Sequence, residues 1–271
     1  MSAHDLLASA IPAVAALAVL GVAAEARASG DPRLRADLQG VARRTVFFGH
    51  QSVGMNLLDG IARIASREGV SLTVKDVTSS PMVAPGILSH AFEPENGKPE
   101  MKLLGFARHL EALSASPPDI ALVKFCYVDF DAGTDVAALF ARYQATLADL
   151  RARSPGTTFV HVTVPLTTVQ SGPKALLKRV IGRAPYGLAE NARREDYNQL
   201  LRQAYRGREP IFDLASVEST RPDGTRETVS WKGRAVPALL ADYALDDGHL
   251  NEAGQERAAR AFLAVLAAAR P

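Results

Sequence analysis

The sequence predicts a three-layer α/β/α domain built on a mainly parallel sheet of five strands. Two observations predict it. Short apolar runs rich in β-branched and aromatic residues alternate with longer segments whose apolar residues recur every three or four positions. The 271 residues, 47% hydrophobic and 22% charged, are enough for one sizeable core and show no internal repeat or low-complexity tract. Strands separated by helices pair in parallel and place helices on both faces of the sheet. Ligands of such sheets gather beyond the carboxyl ends of the strands.

The elements run in this order. Leu6 to Ala24 carry no charge, and Ala26-Arg27-Ala28 has the small-x-small form of a cleavage site. Residues 1–28 therefore read as a secretory signal peptide, which places a single domain over 29–271 outside the cytoplasm, periplasmic or secreted. The alternatives are an uncleaved N-terminal membrane anchor and an apolar helix of a non-exported protein. Thr45–Phe48 reads as the first strand. A helix from about Val53 comes next, with Leu57, Leu58, Ile61, Ile64 and Ala65 on one face. Leu72–Val77 reads as a strand, Thr78–Pro99 as a Pro- and Gly-rich loop, and Met101–Leu113 as a helix that Pro117 and Pro118 close off. Ile120–Tyr127 is the third strand. Val136–Arg153 is a helix with Leu139, Phe140, Tyr143, Leu147 and Leu150 inward. Thr158–Val164 is the fourth strand, trailed by an insertion over Thr167–Leu188. Glu195–Tyr205 is helical, Pro210–Leu214 is a short fifth strand, Ser216–Leu245 a long loop, and Asn251–Ala269 the last helix.

Composition excludes several function classes. The net charge of +2 gives no reason to expect nucleic acid as a partner. The single cysteine, Cys126, allows no internal disulfide and no cysteine-based zinc site. No pair of histidines or carboxylates has metal-ligand spacing, so neither metal nor cofactor is expected. Membrane association is expected only through the N-terminal segment.

Two segments carry chemistry. In Gly49-His50-Gln51-Ser52-Val53-Gly54 a serine stands where the first strand turns into the first helix. It reads as a helix cap or as a nucleophile beside the unpaired N–H groups of a helix start. In Asp246-Asp247-Gly248-His249-Leu250-Asn251 a carboxylate lies three residues before a histidine, just ahead of the last helix. That spacing lets one imidazole nitrogen bond to the carboxylate and leaves the other as a base. A solvated polar capping loop is the other reading.

Together, Ser52 near the start, Asp246 and His249 near the end, and the run Asp247-Gly248-His249-Leu250-Asn251-Glu252-Ala253-Gly254 resemble the SGNH/GDSL hydrolase family. The resemblance extends over Thr45–Phe262. It includes Val164-Pro165 at the end of the fourth strand and Tyr197-Asn198-Gln199-Leu200 ahead of the strand Ile211–Asp213. It implies a flavodoxin-like SGNH hydrolase fold and a Ser52–His249–Asp246 triad, with Asp246 rather than Asp247 as its acid. One departure stands out. Val128 of Cys126-Tyr127-Val128-Asp129 occupies the place of the family's oxyanion-hole Asn and has no side-chain donor. The oxyanion donors expected instead are the backbone N–H of Ser52 and that of Gly86, with Tyr127 or Asn56 supplying a side chain. His50, Gln51 and Lys124 are further candidates for contact with substrate.

The implied activity is hydrolysis of an acyl ester, acetyl on a carbohydrate or small molecule, through an acyl-enzyme. The alternatives are an exported polysaccharide O-acyltransferase with the same triad, and a glycan-binding module whose catalytic site has decayed. The basic stretch Lys174–Arg208 reads either as a solvated helix face or as a rim attracting an anionic glycan.

Overall fold

The computed structural model describes residues 31–270, so the segment read as a leader, with the cleavage site expected for it, lies outside the described residues. The described strands are β1 (Val46–His50), β2 (Thr73–Asp76), β3 (Ile87–Phe92), β4 (Ile120–Val123), β5 (Thr158–Phe159), β6 (His161–Val162), β7 (Ile211–Phe212), β8 (Thr228–Trp231) and β9 (Arg234–Pro237). The helices are α1 (Pro32–Ala42), α2 (Val53–Glu68), α3 (Pro99–Ala112), α4 (Val136–Arg153), α5 (Gly172–Val180), α6 (Leu188–Tyr205), α7 (Leu214–Ser219) and α8 (Glu252–Ala268).

The central sheet has five strands in the order β2-β3-β1-β4-β5, all paired in parallel. The expected fourth strand breaks at Val160. Its first half pairs with β4, and its second half, β6, pairs in parallel with β7. β1 is central and buried throughout, as a parallel strand covered on both faces must be. Its side chains alternate between two apolar clusters. Val46 and Phe48 point toward α1, α2 and α8, and Phe47 points toward α3, α4 and α6. Ile120 and Leu122 of β4 divide from Ala121 and Val123 in the same way. These two clusters are the two interfaces of the three-layer fold.

Two expected loops are structured. Thr78–Pro99 contains β3, which inserts between β2 and β1. Its Ser89 and His90 interrupt the apolar pattern yet are buried, and the His90 ring bonds to His50 (His90 Nδ1 to His50 Nε2, 3.1 Å). Ser216–Leu245 contains the antiparallel hairpin β8–β9, turned at Lys232 and Gly233, both with positive φ (49° and 79°). That is the geometry a two-residue hairpin turn demands. Among the described residues no helix is long and apolar enough to cross a membrane.

α2 and α8 lie against each other on one face. A Cβ at Gly60 would sit 2.7 Å from the Gln255 carbonyl oxygen and 2.8 Å from Ala259 Cβ. The glycine therefore sets how closely the two helices approach. Ser52 immediately precedes one of them and His249 stands just ahead of the other. Gly60→Ala is expected to lower stability by about 1–2 kcal/mol, with the overpacking outweighing the better helix propensity of Ala. Urea unfolding reads the change. A variant as stable as the parent would show that this contact does not limit the approach.

Candidate active site

Ser52 ends the turn between β1 and α2 with φ 49° and ψ −106°, a conformation that a non-glycine residue holds only when its surroundings impose it. Its side chain makes no capping bond to α2. The hydroxyl instead lies 2.5 Å from His249 Nε2. On the other side of the ring, Nδ1 lies 2.8 Å from Asp246 Oδ2 and 3.1 Å from Oδ1. Asp246 can only accept, so Nδ1 carries the proton and Nε2 is left to accept from the Ser52 hydroxyl. Burial alone would raise the Asp246 pKa. The Gly248 and His249 backbone N–H groups and the His249 ring outweigh it and hold the carboxyl at about 2. The Asp247 side chain points elsewhere, to Thr168.

The loop carrying Asp246 and His249 is clamped at both ends. Leu245 N–H donates to the His249 carbonyl, and Leu250 N–H donates to Asn56 Oδ1 at 3.0 Å. Asn251 caps α8 through Gly254 N–H, and its own amide donates to the Asp242 carbonyl. Tyr127 lies edge-on to the His249 ring at 5.8 Å. It packs so tightly on Gly248 that a Cβ there would be 2.6 Å from its ring. Burial, aided by nearby Cys126 and Asp246, pushes the Tyr127 phenol up to about 12, although the neighbouring Ser52 hydroxyl opposes the rise. The phenol therefore remains a donor at neutral pH.

A buried polar framework supports these groups from below. The Lys102 Nζ lies 2.6 Å from both oxygens of Asp129, and neither side chain is exposed. Asp129 also accepts from the N–H groups of Cys126 and Gly97, which fixes the turn Tyr127–Asp129. Arg194 is buried. Its Nε donates to the Tyr127 carbonyl, its Nη1 donates to Thr167 and Asn191, and its guanidinium lies over the Tyr127 ring. Asn198 bonds both the N–H and the carbonyl of Val164.

Several sequence candidates need correction. Gly86 precedes β3 at the amino edge of the sheet, opposite Ser52, and its N–H is bonded to the Ala42 carbonyl. The misplacement arises from reading β3 as loop. At the carboxyl edge, β3 leads into Glu93–Gly97, joined to β1 through Glu93 N–H and the His50 carbonyl. There Asn96 is exposed, with its Oδ1 accepting from Lys102. It is a candidate that sequence reasoning misses, and the pair Asn96-Gly97 just past a strand end is its signal. Lys124 is fully buried, with its Nζ on the Phe125 carbonyl, and cannot meet a substrate. His50 is likewise buried, and burial, with Lys124 and His90 nearby, lowers its pKa well below the usual value. Gln51 is half-buried and donates to the Glu93 carbonyl. Asn56 braces the His249 loop with the oxygen of its amide. Arg194, read within a solvated basic face, belongs to the buried framework. Among the described residues no group of three or more His, Cys, Asp or Glu side chains converges as a metal would require.

The framework also carries a buried acid. Glu218 accepts from Leu166 N–H, and burial drives its pKa up to about 8, although that bond and the charges of Lys124 and Arg194 oppose the rise. A pKa above the unfolded value stabilises below about pH 4.5, and the contribution is lost as pH rises through about 8. Glu218→Gln keeps the acceptor and removes the titration. Its stability relative to the parent is expected to improve from pH 5 to about pH 8 and then level off in thermal melts, and parallel curves would contradict this.

The model of the GDSL-like Lipase/Acylhydrolase family matches residues 93–257, a range that holds Asp246 and His249 and begins after Ser52. Among solved structures, a GDSL-like lipase from Bacteroides thetaiotaomicron is 13% identical, with TM-score 0.49, over 83% of this chain and 88% of that one. An acetyl xylan esterase is 13% identical, with TM-score 0.48, over 81% and 97%. The periplasmic domain of a Salmonella ser. Paratyphi A lipopolysaccharide acetyltransferase is 14% identical, with TM-score 0.41, over 79% of each chain. No curated protein matches the sequence. With more than half of its length matched by the family model, the chain belongs to the GDSL-like lipase/acylhydrolase family of carboxylic ester hydrolases.

Proposed function

We propose that this chain cleaves a short acyl ester, acetyl on a carbohydrate or small alcohol, by nucleophilic catalysis at Ser52. The observation that carries the reading is the unbroken line from the Ser52 hydroxyl through His249 to Asp246. Ser52 Oγ attacks the carbonyl carbon while His249 Nε2 takes its proton. The tetrahedral intermediate collapses, the C–O bond to the alcohol breaks, and His249 returns the proton to the departing oxygen. Water then repeats the sequence on the acyl-enzyme. The ionised Asp246 holds the ring in the required tautomer and stabilises the imidazolium without taking the proton.

A fluorophosphonate probe is expected to label Ser52, read by peptide mass, and Ser52→Ala is expected to abolish labelling. Absence of any adduct on the intact chain would favour a decayed binding module. With a chromogenic acetate ester, Asp246→Asn is expected to lower kcat by about 10³–10⁴-fold. Asp247→Asn should change it by no more than about 3-fold, since its carboxylate makes no bond to the ring. Comparable losses in the two variants would refute the assignment. Acyl transfer to an added sugar in place of water would identify an acyltransferase.

With Val128 in place of an Asn, the oxyanion falls to the Ser52 backbone N–H at the positive end of α2, helped by the Tyr127 hydroxyl. The Asn96 amide at the neighbouring strand end is a further donor. Tyr127→Phe and Asn96→Ala are each expected to lower kcat by about 10-fold or more, and the backbone donor keeps the loss below that of a complete hole. Val128→Asn should raise activity if the position is empty and leave it unchanged if Tyr127 already fills it. Unaltered rates in all three variants would refute this account.

A further inference from the structure

Exposed apolar surface is not spread evenly over this protein. Among the described residues, the large apolar side chains left in water concentrate at the edge that carries Ser52. Leu176, Leu177, Val180 and Ile181, on α5 or just after it, are 58–76% exposed. Val128 and Leu245 are exposed beside Tyr127 and Asp246, and Tyr186 is exposed at the far end of the insertion that carries α5. That insertion is fastened to the site. Thr168 N–H donates to the Asp247 carbonyl at 2.8 Å, and Gln170 N–H donates to the Tyr186 carbonyl at 3.0 Å. The exposed helix and the triad loop thus share one face.

The spacing makes α5 amphipathic. Positions 176, 177, 180 and 181 recur at helical period and form one stripe, while Ala175 on the inner side is buried. A stripe of this kind on a protein in water marks a contact surface. Charge selects the occupant. No Asp or Glu occurs between Asp149 and Glu190, whereas Lys174, Lys178, Arg179 and Arg183 all fall on or next to α5. Lys178 bonds the neutral Gln170 side chain, and among the described residues neither it, Lys174 nor Arg183 forms an ion pair. A second copy of the chain would set these cations against their own kind. A bilayer containing anionic lipids offers negative headgroups at the level of the lysines and acyl chains at the level of the leucines.

We propose that α5 and the apolar rim around Tyr127 dock on an anionic bilayer, a contact beyond any made by the N-terminal segment. Of the two alcohols proposed above, the one presented to Ser52 is then the carbohydrate, an acylated sugar of an amphiphile held at that surface rather than a freely diffusing small ester. Only this last step rests on the ester-cleaving reading; the docking does not.

The experiment uses the full-length chain with Trp231→Phe, which removes the single tryptophan. Tryptophan is then placed by Leu177→Trp on α5 or, as a control, by Leu104→Trp on α3, away from the site. Vesicles of phosphatidylcholine, with or without phosphatidylglycerol, carry brominated acyl chains. The expected result is a blue shift and bromine quenching at position 177 with the anionic vesicles only, and none at position 104. Lys174→Glu with Lys178→Glu should weaken partitioning by tenfold or more. No quenching at 177, equal quenching at 104, or equal quenching by neutral vesicles overturns the proposal. A concentration-dependent blue shift without vesicles overturns it in favour of a second copy. Fluorophosphonate labelling of Ser52 in the same variants, without vesicles, should proceed at the parental rate. Loss of docking leaves that labelling intact, and failure of the ester-cleaving reading leaves the quenching intact.

Discussion

The packing of α2 on α8 is the interaction on which the site depends. Ser52 and His249 are 197 residues apart in the chain, yet they meet at 2.5 Å because each stands at the start of one of these helices. The close approach at Gly60, the Arg63–Gln255 bond and the Arg67–Glu256 pair run down the length of the same seam. The surface ion pair adds little to stability. The apolar layer between the helices and the sheet, including Leu57, Ile61, Ala258 and Phe262, supplies the rigidity. The relative height of the two helix starts is set by core packing, and that height sets the serine–histidine distance.

A second layer of constraint lies under the other side of the site and is polar. Lys102–Asp129, Arg194, Asn198, Glu218 and Lys124 are buried at the carboxyl ends of β4 and β6. A buried charge costs several kcal/mol unless it is paired and bonded, and most of these groups bond backbone atoms of the turns that surround Ser52. Asp129 holds the Tyr127 turn, Arg194 holds the Tyr127 carbonyl, and Glu218 holds Leu166. Irregular backbone at the end of a parallel sheet has lost its ladder partners, and these side chains replace them. The framework thereby positions Tyr127, the side chain that bears on both Ser52 and His249.

How much of this is legible in the sequence depends on how local each feature is. Asp246 and His249 are three residues apart on one turn, and Ser52 sits at a strand–helix junction, so element order alone places them at one sheet edge. β3 is hidden because its buried Ser89 and His90 look like loop residues. Only the spatial partner, His50 across the strand pair, makes a histidine acceptable there. With β3 hidden, the candidate oxyanion donor moves to Gly86, at the wrong end of the sheet, and Asn96 is concealed. The burial of Lys102, Lys124 and Arg194 is equally illegible, because a charged residue in a sequence signals solvent unless its partners are known. The β8–β9 hairpin is concealed by its Lys232-Gly233 turn, which lacks the usual Asn or Asp before the glycine.

The Asp246–His249 pair is open to water: the Asp246 side chain is 55% exposed and that of His249 34%. An exposed aspartate–histidine pair alone would hold its geometry poorly, since side-chain entropy and solvent screening cancel most of the attraction. Here the order comes from the main chain. Asp246 Oδ1 accepts from the N–H groups of both Gly248 and His249, so the carboxylate is fixed by the same turn that delivers the imidazole. Those two donors keep the carboxylate ionised even where water competes, and they do so before any substrate arrives. Preorganisation that an interior site draws from exclusion of water is drawn in this protein from a three-residue turn. That turn is held in register by Asn56 from α2 and capped by Asn251 onto α8. The two helices whose packing sets the serine–histidine distance are thus the same two that anchor the Asp246 turn.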